Sequence, residues 1–347
     1  MRKGRTTVYN NITSPEKMAK VNPKNLELEE DFIEYMISID RAKSSIKQYT
    51  AALHVLWCWN LEHNDNISFL DFTKRQVTKF QNYAINTWGW SPARVRLVKS
   101  VARSLENFIS NILDEEYPNY RKIWDKIESP VNEQVREKSV FTMEEMQDLL
   151  DHLVENKQYE KACFLSLAIN SGRRKSELAR FKVSYFNKEN LICDGALYKT
   201  PEKMTTKGRG SKGKLLYVYT LAKPFQPYLD LWLSERESLG ISTDWLFPKF
   251  NGNKWLDEPT PVSTFDSYAK SFTNYLDKPW YVHNARHFFT TNLSENNIPD
   301  SVIKNIVGWS TVALVDVYRD TDAEDDFEKY FGSEGIKKVD RKSIGDL

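Results

Sequence analysis

The sequence predicts a mainly α-helical protein of two domains, with a small antiparallel β-sheet in the second. Three observations carry this. Apolar residues recur every three to four positions from Asn25 to about residue 127, the period of a single helix face. A polar, proline-containing stretch, ESPVNEQVREKSV (128–140), then interrupts the pattern, as an interdomain linker does. Beyond Phe186 the period becomes extended in NLICDGALYKT and KLLYVYTL, which read as strands. With 347 residues, 40% of them hydrophobic and 13% aromatic, the chain has enough apolar mass for two cores.

Residues 1–24 are polar, basic and without periodicity, and read as a flexible arm. The first domain is expected at 25–128, with helices around 29–39, 73–86, 92–113 and 118–127. Another lies in SSIKQYTAALHVLWCWNLEH, where Ser44 or Ser45 could cap the start. The 92–113 helix opens on Ser91-Pro92, a cap followed by proline at the first helical position. It carries Arg94, Arg96, Lys99 and Arg103 with no acid among them. A solvated face is the plain reading of such a row, and a nucleic-acid contact is the functional one.

The linker is expected at 129–140 and the second domain at 141–347, including a C-terminal tail. TMEE (142–145) matches a capping box and opens a helix through Leu153. A second helix, 157–170, ends at SGRRKSEL, where Arg173 and Arg174 follow Gly172; two arginines in a tight glycine turn are expected at the surface. KMTTKGRGSKGK between the strands reads as a basic hairpin loop, and 248–261 as a Pro/Asn/Gly-rich loop. In DSVIKNIVGWSTVALVDVYRD (300–320), Val302, Ile303, Ile306 and Val307 form an apolar helix face that Gly308 is placed to end. A second helix from about Thr311 carries Tyr318.

Charge and composition narrow the function classes. With 49 basic and 48 acidic residues, the chain is no uniformly basic binder, although a basic face balanced by an acidic one stays open. Three scattered cysteines, Cys58, Cys163 and Cys193, suit neither a disulfide framework nor a metal site, so a reducing, cytoplasmic setting is expected. No run of about 18 apolar residues and no leader at Met1 suggests a membrane span or a secretion signal.

HNARH (283–287) holds two of the five histidines. It precedes a helical stretch, so His283 and Arg286 project from one face beside the helix amides, an arrangement suited to an anion. Taken together, SGRRKSEL, the basic hairpin, HNARH, GWST and VDVY resemble the catalytic domain of the tyrosine recombinase (phage integrase) family. The family's Gly-x-Arg-x-Ser-Glu-Leu box puts its arginine on Arg174, and its His-x-x-Arg-His box falls on His283 and Arg286. Leu-Gly-His is read here as Val307-Gly308-Trp309, and members carry His or Trp at the Trp309 position. Tyr318, nine residues on, stands in the nucleophile's place.

More loosely, 25–128 is similar to the family's helical core-binding domain. The resemblance implies two domains forming a C-shaped clamp on double-stranded DNA with a specific core site, working as a homo-tetramer at the nucleoid of a bacterial or phage host. It implies no cofactor and no metal. Arg174 and Arg286 would grip the phosphate oxygens in a forked geometry that lysine cannot reproduce. His283 would act as base or phosphate donor, Trp309 would donate one N–H, and Tyr318 would attack, leaving a 3′-phosphotyrosine. A hairpin lysine would protonate the leaving oxygen, with Lys207 and Lys212 ranked equal; Arg209 and Lys214, with the four cations of 94–103, would contact DNA. His287 would support the site. The strongly acidic segment after Tyr318, DTDAEDDFEKYF, would face away from DNA or pack on a neighbouring subunit. Two alternatives share these features: a DNA-binding regulator that keeps the fold without the chemistry, and a type IB-like DNA-relaxing enzyme.

Overall fold

The computed structural model describes residues 12–131, 139–206 and 213–318, and the backbone of 331–332 and 335–336. Lys207, Arg209 and Lys212, the first eleven residues, most of the linker and nearly all of the acidic run after Tyr318 lie outside the described residues. The chain parts into two compact units, described from 12 to 131 and from 139 onward.

The first unit holds α1 (Pro15–Met18), α2 (Pro23–Ser38), α3 (Lys43–His63), α4 (Lys74–Asn86) and α5 (Pro92–Ile112). Proline at the first turn starts α1, α2 and α5, and a Thr73–Gln76 capping box starts α4. Neither Ser44 nor Ser45 caps α3; its cap position is Ala42. The core gathers the buried faces of α2 to α5 around aromatic rings, with Trp124 lying 6.0 Å from Phe69 and 6.1 Å from Phe80.

Two further expectations for this unit are corrected. Residues 12–24 are not a free arm, because Ile12 and Val21 are buried and Asn22 donates two hydrogen bonds of 2.9 Å to Asn66. Nor is 118–127 an α-helix: it holds a single 3-10 turn, Trp124–Lys126. The physical reason is Glu106, a buried carboxylate on α5 that accepts from the backbone N–H groups of Ile123 (2.6 Å) and Trp124 (3.1 Å). Those donors satisfy a buried charge instead of a helix, and they hold Trp124 in the core.

The second unit begins with α6 (Met143–Glu155), α7 (Tyr159–Ser171) and α8 (Lys175–Leu178). The Thr142–Glu145 capping box opens α6 as expected. Every residue of α7 from Ala162 to Ser171 is buried, which makes it the central helix of the unit; its Phe164 stacks on Phe265 at 4.1 Å. Then come β1 (Leu191–Ile192), β2 (Leu197–Lys199), β3 (Met204–Thr206), β4 (Lys214–Leu216), β5 (Tyr219–Leu221) and α9 (Ala222–Ser238). KLLYVYTL is therefore two strands. β5 joins the antiparallel sheet β1-β2-β5, whereas β4 pairs with β3. The break falls at Val218, whose backbone exchanges bonds with Thr200.

The expected 248–261 loop contains a hairpin, β6 (Pro248–Phe250) with β7 (Trp255–Pro259). The chain continues through α10 (Val262–Leu276), α11 (Val282–Glu295), α12 (Asp300–Val307) and α13 (Ala313–Tyr318), with a backbone pair β8 (Phe331–Gly332) and β9 (Gly335–Ile336). Among the described residues, no helix is long and apolar enough to cross a membrane.

Candidate active site

Gly172 ends α7 with φ at 59°, a backbone state that glycine adopts without cost. A Cβ there would meet the Phe289 ring at 2.5 Å. Arg173 and Arg174 leave this turn for different environments. Arg173 is buried, 1% exposed, which corrects the surface placement expected for it. Its guanidinium donates to the carbonyls of Ile306 and Val307 at the end of α12. Arg174 stays partly open and is held by the buried Glu177 carboxylate at 3.1 Å.

α11 starts one residue before His283, so HNARH opens the helix rather than preceding it, and His283 and Arg286 stand one turn apart. Arg286 is 1% exposed. It donates to Gly172 O at 3.0 Å and to Val307 O at 3.4 Å. Gly308 ends α12 with φ at 77°, and a Cβ there would meet Leu216 of β4 at 2.7 Å. The turn delivers Trp309, buried, with its ring 5.0 Å from the Arg286 guanidinium. Tyr318, half-buried at the end of α13, has its ring 4.7 Å from His287, 4.9 Å from Trp309 and 5.2 Å from His283. The Arg286 guanidinium lies 5.5 Å from it. The fold thus brings His283, Arg286, Trp309 and Tyr318 into one cluster with His287, and Arg174 shares an open cleft with His283.

The cluster is electropositive. Burial, then the Arg174 and Arg173 charges, depress Arg286 to about 9, and burial depresses Arg173 to about 10. His283 is open on one side, yet desolvation against its neighbours, followed by the effects of His287, Arg286 and Arg174, lowers it below the usual imidazole value. An anion bound between these cations would reverse each of these penalties, and a neutral His283 keeps a lone pair free to accept a proton.

The β3–β4 hairpin is fixed beside this cluster. Arg180 donates to the carbonyls of Ser176 and of Thr205 on β3, while Leu216 abuts Gly308. Lys214 is exposed at the start of β4, and Lys207 follows directly on the last residue of β3. Arg173, Glu177 and Arg180 are the contributors that sequence reasoning passed over. Glu177 had a signal, since it belongs to the Ser-Glu-Leu of the arginine box; Arg173 was noticed only as a surface residue, and nothing singled out Arg180.

The four cations of α5 do not form an open row. Lys99 has no exposed surface, and its ammonium donates to Gln81 (2.8 Å) and to the carbonyls of Ile127 and Glu128 (2.9 Å each). Its expected role as a DNA contact is corrected: it is an internal tie. Arg103 pairs with Asp125 at 2.9 Å, Arg94 stacks on Trp90 at 4.8 Å, and exposed Arg96 donates to Pro130 O at 2.8 Å.

Fold and cluster together define a mainly helical domain with a tyrosine held in an electropositive cluster. A family model described as the phage integrase family matches residues 139–325, more than half of the chain, and the chain belongs to that family. Its second unit is the catalytic domain of a tyrosine-type site-specific DNA recombinase. It is 25% identical over 248 residues to the SPbeta prophage-derived recombinase-like protein YomM of Bacillus subtilis (strain 168), covering 69% of this chain and 71% of that protein. It is likewise 25% identical over 210 residues to the tyrosine recombinase XerD of Chlamydia pneumoniae, covering 60% and 63%. Among solved structures, the XerH site-specific recombinase bound to palindromic difH substrate, in a post-cleavage complex, matches with a TM-score of 0.60 at 16% identity, over 82% of this chain and 78% of that one. A lambda integrase dimer bound to a COC′ core site gives 0.60 at 13% identity, over 92% and 98%. Both structures show the fold shared.

Proposed function

We propose that this protein cuts and rejoins double-stranded DNA at a specific core site through a 3′-phosphotyrosine on Tyr318. The Tyr318 oxygen attacks the phosphorus of one linkage, the bond from phosphorus to the 5′-oxygen breaks, and a free 5′-hydroxyl is left. Arg174 and Arg286 stabilise the charge that builds on the non-bridging oxygens, His283 takes the phenol proton, and Trp309 supplies one N–H. Lys207 or Lys212 gives the leaving oxygen its proton. The covalent link conserves the bond's free energy, so a second DNA end can reverse the step and exchange strands. Four copies assemble on two core sites, at the nucleoid of the host cell, with DNA contacts contributed by Arg94, Arg96, Arg103, Arg209 and Lys214.

One observation carries this reading: the Tyr318 ring sits among the rings of His283, His287 and Trp309, with the Arg286 guanidinium 5.5 Å away. A regulator without chemistry needs basic surfaces but no tyrosine at that place. The regulator reading draws on Arg286, whose guanidinium is engaged with the carbonyls of Gly172 and Val307. Both are tested on a nicked suicide duplex carrying the core site, run on a denaturing gel. The recombinase gives a covalent band that Tyr318→Phe abolishes while site affinity is kept. Tight binding without any such band supports the regulator.

A further inference from the structure

Two buried guanidiniums converge on one carbonyl. Val307 O accepts from Arg173 and from Arg286, each at 3.4 Å, and Arg173 also holds Ile306 O. These oxygens end α12, where carbonyls lack helical partners and the helix dipole favours a cation. The next two residues are Gly308 and Trp309, so whatever fixes this helix end also fixes Trp309. Both arginines keep a buried Nε–H without a hydrogen-bond partner, so neither side chain is saturated by its present contacts.

Arg286 is 1% exposed, so turning its guanidinium toward a phosphate draws it away from the Val307 carbonyl that it holds at 3.4 Å. A buried carbonyl left without a donor is costly, and that cost would oppose the movement. With Arg173 present, Val307 O keeps a donor when Arg286 turns away. Without Arg173, the end of α12 would depend on Arg286 alone and hold it back. We infer that Arg173 is a positioning residue for the cleavage step: it secures the carbonyls that end α12, leaving Arg286 free for the phosphate and Trp309 fixed beside it. This rests on Tyr318 cleaving DNA as proposed above. Arg173 is adjacent to Arg174 in sequence but acts from inside the protein, without touching DNA.

The test uses the full-length chain. Random-sequence duplexes bound by it are selected to supply a site, and a nicked suicide duplex of that sequence is the probe. Affinity and the single-turnover rate of covalent adduct at saturating DNA are measured for wild type, Arg173→Leu and Arg173→Lys, each checked by circular dichroism for folding. Arg173→Leu is expected to slow adduct formation roughly 10- to 100-fold, the effect of one unmet buried carbonyl, while Kd stays within about twofold. Arg173→Lys, which keeps the charge but not the forked guanidinium, falls between. A folded variant that cleaves at the wild-type rate overturns the inference, as does a parallel loss of affinity. Failure of both variants to fold also overturns it, by making Arg173 a residue of the fold alone. If wild type itself forms no adduct, the phosphotyrosine reading fails first and takes this inference with it.

Discussion

Lys99 combines zero exposed surface with an ammonium that makes three hydrogen bonds, and this has consequences in solution. Burial, followed by the Arg103 and Arg96 charges, lowers it from 10.5 to about 8. Below about 8 the folded and unfolded chains both carry the proton, and the burial penalty is felt in full. Between about 8 and 10.5 only the unfolded chain binds that proton, so stability rises with pH across this window. Lys99→Met should remove that rise, measured as urea midpoints at about pH 8 and about pH 10. A variant whose midpoint climbs as steeply as wild type contradicts the account. The same variant should leave the salt dependence of DNA binding unchanged, whereas Arg96→Ala should flatten it by about one counterion. The burial of Lys99 was legible: with Val95, Val98, Ala102 and Leu105 it lies on the stripe that α5 buries, while Arg96 on the same helix is exposed. Arg173 was not legible, because its partners lie more than 130 residues away and no local pattern points to them.

Among elements, two of the left-handed glycines, Gly172 and Gly308, are what assemble the site. Gly172 turns the chain out of α7 into the arginine pair, and Gly308 turns α12 into Trp309. Gly308→Ala meets both a backbone state unfavourable to a side chain and a Leu216 contact of 2.7 Å. It should cost about 2 kcal/mol, read as a fall in the urea midpoint, and should disturb the β3–β4 hairpin as well as Trp309. An unchanged midpoint would mean that the turn and hairpin are not packed as described. Long helices such as α3 and α5 were readable because their apolar period is sustained over three or more turns. The strands were harder. Three-residue strands show too little alternation to reveal that KLLYVYTL changes sheets at Val218, and the 118–127 segment has helical spacing but gives its backbone donors to Glu106.

For the whole molecule, near-neutral net charge coexists with an electropositive cluster because charge is distributed unevenly. Arg173, Arg174 and Arg286 gather around one buried carboxylate, Glu177, while acids concentrate in the sequence that follows Tyr318. Composition alone could not show this; the ordered boxes and their spacing could, and they placed four of the five central side chains in one cluster, with Arg174 in the adjoining cleft. The leaving-group lysine was beyond reach for a different reason, since a basic loop of variable length supplies several equivalent candidates.

The claim on which the rest depends is that one phenol becomes bonded to DNA. Covalent complexes formed on the suicide duplex should be digested with protease and nuclease, and the peptide that carries residual nucleotide sequenced by mass spectrometry. The account predicts a phosphotyrosyl linkage on Tyr318 and on none of the other tyrosines among the 17 in the chain. A linkage mapped to a different residue, or site-specific binding that never yields a linked peptide, would contradict it.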